Sequence, residues 1–149
     1  MLRGIEDALT SDLGPAEQAV QIAGLVRQAG SYRWVGLYAV TDQEITAIGW
    51  SGPGAPAHPR FPVTRAQRAA VASRRAVVVN DVTADRRYLT AFASTLSEAI
   101  VPVVDPDMGT VVGTLDVESA ERDAFTDADR QALVGCAAAL WGLFAAAGS

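Results

Sequence analysis

Three acidic residues lie on two neighbouring segments whose alternating apolar residues predict β-strands. Glu98 belongs to the segment Ser97–Val104, and Asp116 and Glu118 belong to Thr110–Glu118. A short turn joins the segments, so we expect an antiparallel hairpin with the three carboxylates on one face. Clustered carboxylates raise one another's pKa unless a cation lies among them. The pattern therefore predicts a pocket that holds the ammonium or guanidinium group of a ligand.

The turn predicts a register for this hairpin. If Val104 opposes Thr110, Glu98 lies directly opposite Asp116, and Glu118 lies one pair further along the same face. The other face is wholly apolar and must pack on helices, which disfavours a one-residue slip. That face comprises Ala99, Val101, Val103, Val111, Gly113, Leu115 and Val117.

Two simpler interpretations of the acidic face stay open. It could be a solvated surface, or an arginine such as Arg60, Arg86 or Arg87 could neutralise it. If the face lines a pocket, Trp34 and Tyr38 are the candidates for its apolar walls, because they share one face of another predicted strand.

The other reactive side chains exclude several mechanisms. All twelve basic residues are arginine, which excludes Schiff-base lysines and a phosphate-loop lysine. The one cysteine, Cys136, excludes an intramolecular disulfide and a cysteine-rich metal site, and we interpret it as a packed residue of the last helix. The one histidine, His58, excludes mechanisms that need two. We expect no metal site and no cofactor.

Three further residues are candidates for contact with a ligand. His58 lies in the proline-rich segment 51–59, where it is either a surface residue or a loop contact over the pocket. Trp50 begins that segment and could act as a lid. Asp81 follows a short strand, where it either caps a turn or reaches the ligand.

The helix and strand signals predict one α+β domain, with terminal helices on one face of an antiparallel sheet and loops and a short helix over a pocket on the other. Pro15 opens a first helix that ends at Gly30, and Thr126 with Asp129 caps a last helix to about Ala146. Between them we expect strands Tyr32–Val40 and Glu44–Trp50, a short helix Thr64–Ser73, a strand Ala76–Val79, a long irregular segment 80–96 and the acidic hairpin.

The composition agrees with a single globular domain of 149 residues, whose core we place at about residues 15–145. A net charge of −5 argues against a nucleic-acid partner or an anionic membrane surface. We find neither a signal peptide nor a segment of membrane-spanning length, so we expect a cytoplasmic protein.

The order of the elements and five short segments resemble GAF domains, and among these most closely the free methionine-(R)-sulfoxide reductases. The resemblance covers about residues 15–145 and implies that Glu98 and Asp116 match the family's anchors for a substrate amino group. Glu118 stands where the family usually has aspartate. The five segments are Tyr32–Tyr38, Asn80–Val82, Ser97–Pro102, Gly113–Ser119 and Phe125–Asp129.

This chain departs from those reductases at each of their pocket cysteines. By spacing, the three cysteine positions fall near His58, at Gln67 and at Ala91. The family reduces its substrate with a thiolate, and neither glutamine nor alanine can replace one. The resemblance therefore implies a pocket without the reductase chemistry.

We expect a stand-alone GAF-like sensory or regulatory domain that binds a small amine or amino acid. Two alternatives stay open: an enzyme related to the reductases that uses non-cysteine chemistry, such as the carboxylates with His58, or a dimerisation module without a ligand. We also expect a homodimer through the terminal helices, with Leu140, Trp141 and Phe144 forming an apolar seam. The expected ligand contacts are Glu98, Asp116, Glu118, Trp34, Tyr38 and Asp81, with Trp50 and His58 as lid or loop contacts.

Overall fold

A curled antiparallel sheet forms the centre of the fold. The computed structural model describes residues 1–63, 65–84 and 94–147, except for the side chains of 65–68, 146 and 147. Across the described part of the sheet, the strands numbered along the chain lie in the order β3-β2-β1-β6-β5-β4. These strands are β1 (Trp34–Val40), β2 (Glu44–Ser51), β3 (Arg60–Pro62), β4 (Val77–Val79), β5 (Ser97–Val104) and β6 (Val111–Ser119).

The helices lie at the two ends of the chain and between β3 and β4. They are α1 (Leu2–Leu9), α2 (Pro15–Gly30), α3 (Arg65–Ser73), α4 (Asp127–Ala138) and α5 (Trp141–Ala147), with a 3₁₀ turn at Val82–Ala84. In the described residues, no helix combines the length and the apolar character needed to cross a membrane. The predicted α+β architecture is confirmed.

One face of the sheet packs on α2, α4 and α5 through the apolar residues that strand parity predicts. Ala99, Val101 and Val103 of β5 and Leu115 and Val117 of β6 are at most 2% exposed. They form one cluster with buried residues of the helices, among them Ile22, Ala23, Val26, Leu133, Ala137, Leu143 and Phe144. This burial fixes which face of β5 and β6 points away from the helices.

The helices begin and end where the sequence predicts at the positions that have a capping residue. The structure places α2 at the predicted bounds, with Pro15 in its first turn and Ser31 in the left-handed conformation at its end (φ 53°). At α4, Thr126 and Asp129 form the predicted capping box. The last helix is not continuous, however, because the chain turns at Ala139–Leu140, where Leu140 is fully buried.

The register of the acidic hairpin differs from the predicted one. The structure pairs Glu98 with Glu118 and Ile100 with Asp116, so the prediction that Glu98 opposes Asp116 is wrong. An irregularity between Val103 and Val104 changes the pairing near the turn. The total shift is two residues, so every side chain keeps its predicted face.

We predict that Gly49→Ala destabilises the protein. Gly49 lies where β2 meets α2, and an added Cβ would lie 2.6 Å from Ala19 Cβ and 2.8 Å from the Val20 backbone nitrogen. Overpacking against a backbone atom costs about 1–3 kcal/mol of unfolding free energy, which urea unfolding measures.

The matched control is Gly135→Ala in α4, where no atom lies within 4 Å of an added Cβ. Helix propensity should make this variant more stable, by up to about 1 kcal/mol. Equal stability of the two variants would contradict the close packing of α2 on β2.

Candidate functional site

Three carboxylates are buried together on the face of the sheet opposite the main helices. Glu98, Asp116 and Glu118 are 1%, 5% and 2% exposed. Glu98 and Glu118 are cross-strand partners, which places their Cβ atoms about 5 Å apart. Asp116 precedes Glu118 by two residues, so both side chains lie on the same face of β6. Their burial excludes the interpretation of this face as a solvated surface.

Strand β1 places two aromatic side chains beside the carboxylates. Trp34 pairs with Glu118, and Gly36 pairs with Asp116. Trp34 is fully buried and Tyr38 is 4% exposed, with their ring centroids 6.3 Å apart. An added Cβ at Gly36 would lie 2.1 Å from the Trp34 indole, so this glycine leaves room for the ring over the strand next to Asp116.

The proline-rich segment holds the indole from its other side. The Trp34 Nε1–H donates a hydrogen bond to the Gly54 carbonyl at 3.1 Å. An added Cβ at Gly52 would lie 2.4 Å from the same indole. Trp34 is therefore fixed between β1 and residues 52–54, which makes it a rigid wall for the carboxylate cluster.

Two carboxylate oxygens of the cluster lack a hydrogen-bond partner among the described residues. These buried atoms are Glu98 Oε1 and Asp116 Oδ1, and the neighbouring Thr114 Oγ1 is in the same state. Glu118 differs, because the Thr95 hydroxyl donates a short hydrogen bond to its Oε1. Buried polar atoms in native proteins are almost always paired, so the orphaned oxygens indicate a site for a donor from outside the described chain.

Burial also controls the charge of the cluster. It raises the pKa of Asp116 to about 7, helped by the negative charge of Glu118. Burial, with Glu118 and Asp116, raises the pKa of Glu98 well above its usual value. With a pKa of about 7, Asp116 is close to half ionised at neutral pH. Burial and the same three carboxyls also raise the pKa of Tyr38.

Helix α3 covers the neighbouring part of this face. Buried Ala70 packs against Ile100, the cross-strand partner of Asp116. The short helix therefore lies over the site face of β5, as predicted. Gln67 belongs to α3, but its side chain is outside the described residues, as are Arg86, Arg87 and Ala91.

The structure places Asp81 in a turn at the surface. Its Oδ1 accepts hydrogen bonds from the Thr83 hydroxyl at 2.5 Å and the Thr83 N–H at 3.0 Å, and its Oδ2 accepts one from Arg122 Nε at 3.1 Å. These contacts, the Thr83 hydroxyl first, lower the pKa of Asp81. Both of its carboxylate oxygens are thus engaged in the turn-capping arrangement.

The other residues singled out from the sequence lie at or beyond the edge of the site. Trp50 pairs with Gly36 and is half-buried, packing on the cluster of Trp34, Tyr38, Ile45 and Phe61. It lies in β2, one residue before the strand ends at Ser51, in agreement with the predicted strand Glu44–Trp50. His58 is exposed. Arg60 is exposed and pairs with Glu44 at 3.6 Å, so it is not the arginine that neutralises the carboxylates.

Some residues of the site were not expected from the sequence. Thr95 lies in a segment predicted as irregular, and Phe61 belongs to β3, which no pattern predicted. Tyr38 packs edge-on against Phe61 with centroids 5.8 Å apart. Gly36 could have been found from the sequence, because a glycine between two aromatic residues on one face of a strand indicates close packing over the backbone.

The terminal helices do not present the expected apolar seam. Leu140 is fully buried and Phe144 is 5% exposed, because both pack in the core of their own chain. Only Trp141 of the three is exposed, at 38%. In the described residues, no group of three histidine, cysteine, aspartate or glutamate side chains is placed to hold a metal ion.

Comparison with known proteins agrees with this fold. The model of the GAF domain family matches residues 16–144. The free methionine-R-sulfoxide reductase of Neisseria meningitidis, solved in complex with its substrate, is 27% identical, with a TM-score of 0.84 over 99% of this chain and 87% of that chain. The type II free methionine-R-sulfoxide reductase of Thermoplasma acidophilum is 25% identical, with a TM-score of 0.79 over 87% and 92%.

A third structure shares the fold at lower identity. The GAF domain of an Acinetobacter phosphoenolpyruvate-protein phosphotransferase has a TM-score of 0.84 and 19% identity, over 99% of this chain and 92% of that chain. The comparison with curated protein sequences gave no match. The predicted resemblance in fold is thus confirmed.

We predict that Asp116→Asn stabilises the protein, and that the gain grows with pH. Folded Asp116 keeps its proton up to about pH 7, whereas the unfolded carboxyl loses it near pH 4. Stability of the unchanged protein therefore falls as the pH rises from about 4 to about 7, by up to roughly 4 kcal/mol from this group. Asparagine has no charge to bury.

Urea unfolding at pH 4.5 and pH 8 measures the effect. Asp42→Asn, at an exposed turn position, is the matched control, and its stability should equal that of the unchanged protein at both pH values. An Asp116→Asn protein that is less stable than the unchanged protein at pH 8 would contradict the burial of this carboxyl without a cation partner among the described residues.

Proposed function

The chain belongs to the GAF domain family, and from that premise we propose that it is a small-molecule-binding domain for a small amine or amino acid. Glu98, Asp116 and Glu118 hold the ligand's ammonium group, and Trp34 and Tyr38 contact its apolar part. The observation that carries the proposal is the pair of buried oxygens, Glu98 Oε1 and Asp116 Oδ1, that have no hydrogen-bond partner in the part of the chain that the structure describes.

An ammonium group fits this site for chemical reasons. It has three N–H donors and a positive charge, and hydrogen bonds between charged groups are about twice as strong as neutral ones. Its charge also offsets the repulsion between clustered carboxylates. The rigid Trp34 indole beside the cluster adds an apolar surface and a π face that attracts cations.

The cost of burying these carboxylates also favours a binding role. Burying ionisable groups without partners lowers stability, and proteins accept such a cost mainly where function requires it. A purely structural sheet face would gain from apolar side chains at these positions. An interaction module without a ligand leaves the buried carboxylates unexplained.

The structural relatives support an amino acid as the ligand class. The Neisseria meningitidis protein is a free methionine-R-sulfoxide reductase solved with its substrate. We infer that this chain keeps a related binding function but not the thiol chemistry. Its one cysteine, Cys136, is fully buried in the helix-side core, and burial raises the pKa of its thiol.

The test is a thermal-shift and calorimetry panel of free amino acids, methionine, its (R)-sulfoxide and small alkylamines. A ligand at about 100 times its Kd stabilises by roughly 2.7 kcal/mol, which raises Tm by about 5–10 °C for a domain of this size. Asp116→Asn should abolish the response and Asp42→Asn should keep it.

Chemical controls sharpen the result. The N-acetyl derivative of any amino acid that binds should fail, because acetylation removes the ammonium charge. Equal affinity for the amino acid and its N-acetyl derivative would overturn the proposal. So would a folded protein that binds no compound of the panel. With dithiothreitol as reductant, we expect no turnover of methionine-(R)-sulfoxide.

We predict that affinity for the ligand increases between pH 6 and pH 8. The ammonium group and a proton compete for Asp116, whose pKa of about 7 places the change in this range. Calorimetry in buffers with different ionisation enthalpies measures the proton released on binding. Tighter binding at pH 6 than at pH 8 would contradict the competition.

A further inference from the structure

A cavity of about 520 Å³ lies at the edge of the sheet beside β5. Its walls come from residues 74–76, from β5 and from α4 and α5. None of the carboxylate-site residues lines it. The volume is within the range of natural small-molecule sites, about 300–1,000 Å³.

The cavity exists because β4 covers only part of β5. Their pairing ends at Val77 and Ile100, and residues 74–76 then leave the sheet. Val101 and buried Pro102 form the floor there, and half-exposed Val134 and Trp141 stand at the side. Proline cannot donate a backbone hydrogen bond, so this edge is poorly suited to accept another strand.

Three arginines surround this apolar floor. The Arg74 Nη1–H donates to the Gly109 carbonyl and the Arg130 Nη2–H donates to the Ala76 carbonyl, both at 3.1 Å. Each guanidinium keeps further donors, and Arg75 lines the same cavity. In the described part of the chain, none of the three forms an ion pair with a carboxylate.

Arg74 directly follows α3, and its φ of 57° lies in the left-handed region. This conformation is common in the residue that ends a helix, and the Arg74 N–H donates to the Ala70 carbonyl at 2.9 Å. The end of α3 therefore brings this arginine to the cavity, where its hydrogen bond to the Gly109 carbonyl ties it to the β5–β6 turn.

We propose that this cavity is a second ligand site, for a small carboxylate with an apolar body. The three guanidinium groups bind the carboxylate, and the floor and Trp141 hold the apolar part. Unpaired arginines around an apolar cavity complement such an anion in charge and in polarity. The site is separate from the ammonium site, so each is tested without the other.

The experiment titrates sodium octanoate, with octanol and octylamine as matched probes of the same chain length. We expect saturable binding of octanoate by calorimetry, and a change in Trp141 fluorescence that Trp141→Phe removes. Arg75→Gln with Arg130→Gln should weaken binding about tenfold, as expected for the loss of charged hydrogen bonds. Exposed Arg33 lies outside the cavity, so Arg33→Gln is the charge-matched control and should bind normally.

Asp116→Asn should leave octanoate binding unchanged, which separates this site from the ammonium site. Sedimentation with and without octanoate should show one unchanged mass. Three results would each overturn the proposal: no saturable binding, equal affinity for octanol, or normal binding by the double arginine variant. A dimer that forms through Trp141 and blocks octanoate would also overturn it.

Discussion

The burial of three carboxylates on one face of a sheet is the constraint on which the rest of this structure depends. Glu98, Asp116 and Glu118 are each at most 5% exposed. In water they would be ionised and well solvated, but here burial and mutual repulsion raise the pKa of Asp116 to about 7 and that of Glu98 well above its usual value. The fold must supply enough favourable free energy elsewhere to keep them there.

The opposite face of the same strands supplies that free energy. Leu115 and Val117 alternate with the carboxylates along β6 and are fully buried under the helices. Removing β6 from its place would expose this apolar face, so the carboxylates cannot leave the interior alone. Two glycines leave room for aromatic rings on the two faces of the sheet. Gly36 leaves room for the Trp34 indole beside the site, and Gly113 leaves room for the Phe144 ring on the core side.

Much of the fold could be predicted because local signals and burial agree. Pro15 and the Thr126–Asp129 capping box marked helix starts, and strand parity placed the three carboxylates on one face. The register was wrong by two residues because it depends on hydrogen bonding near the turn, which the pattern of side chains does not encode. The predicted face of each side chain was still correct, because a register shift of two residues leaves every side chain on the same face of the sheet.

Other features depend on tertiary contacts that no local pattern carries. The helix α1 buries only Ile5 and Ala8, and two apolar residues are too few to predict a helix from the sequence. The break between α4 and α5 allows Leu140 and Leu143 to enter the core, and it removed the apolar seam expected for a dimer. Thr95, the hydroxyl donor to Glu118, comes from a segment without regular periodicity.

The most direct test of this account is the pKa of the Asp116 carboxyl, measured by ¹³C NMR titration of the unliganded protein with Asp116→Asn to assign the signal. We expect a pKa near 7, because the carboxyl is buried with no cation partner among the described residues. A pKa near 4 would contradict it, since that value would mean that the carboxylate is already solvated or paired and has no need of a ligand's ammonium group.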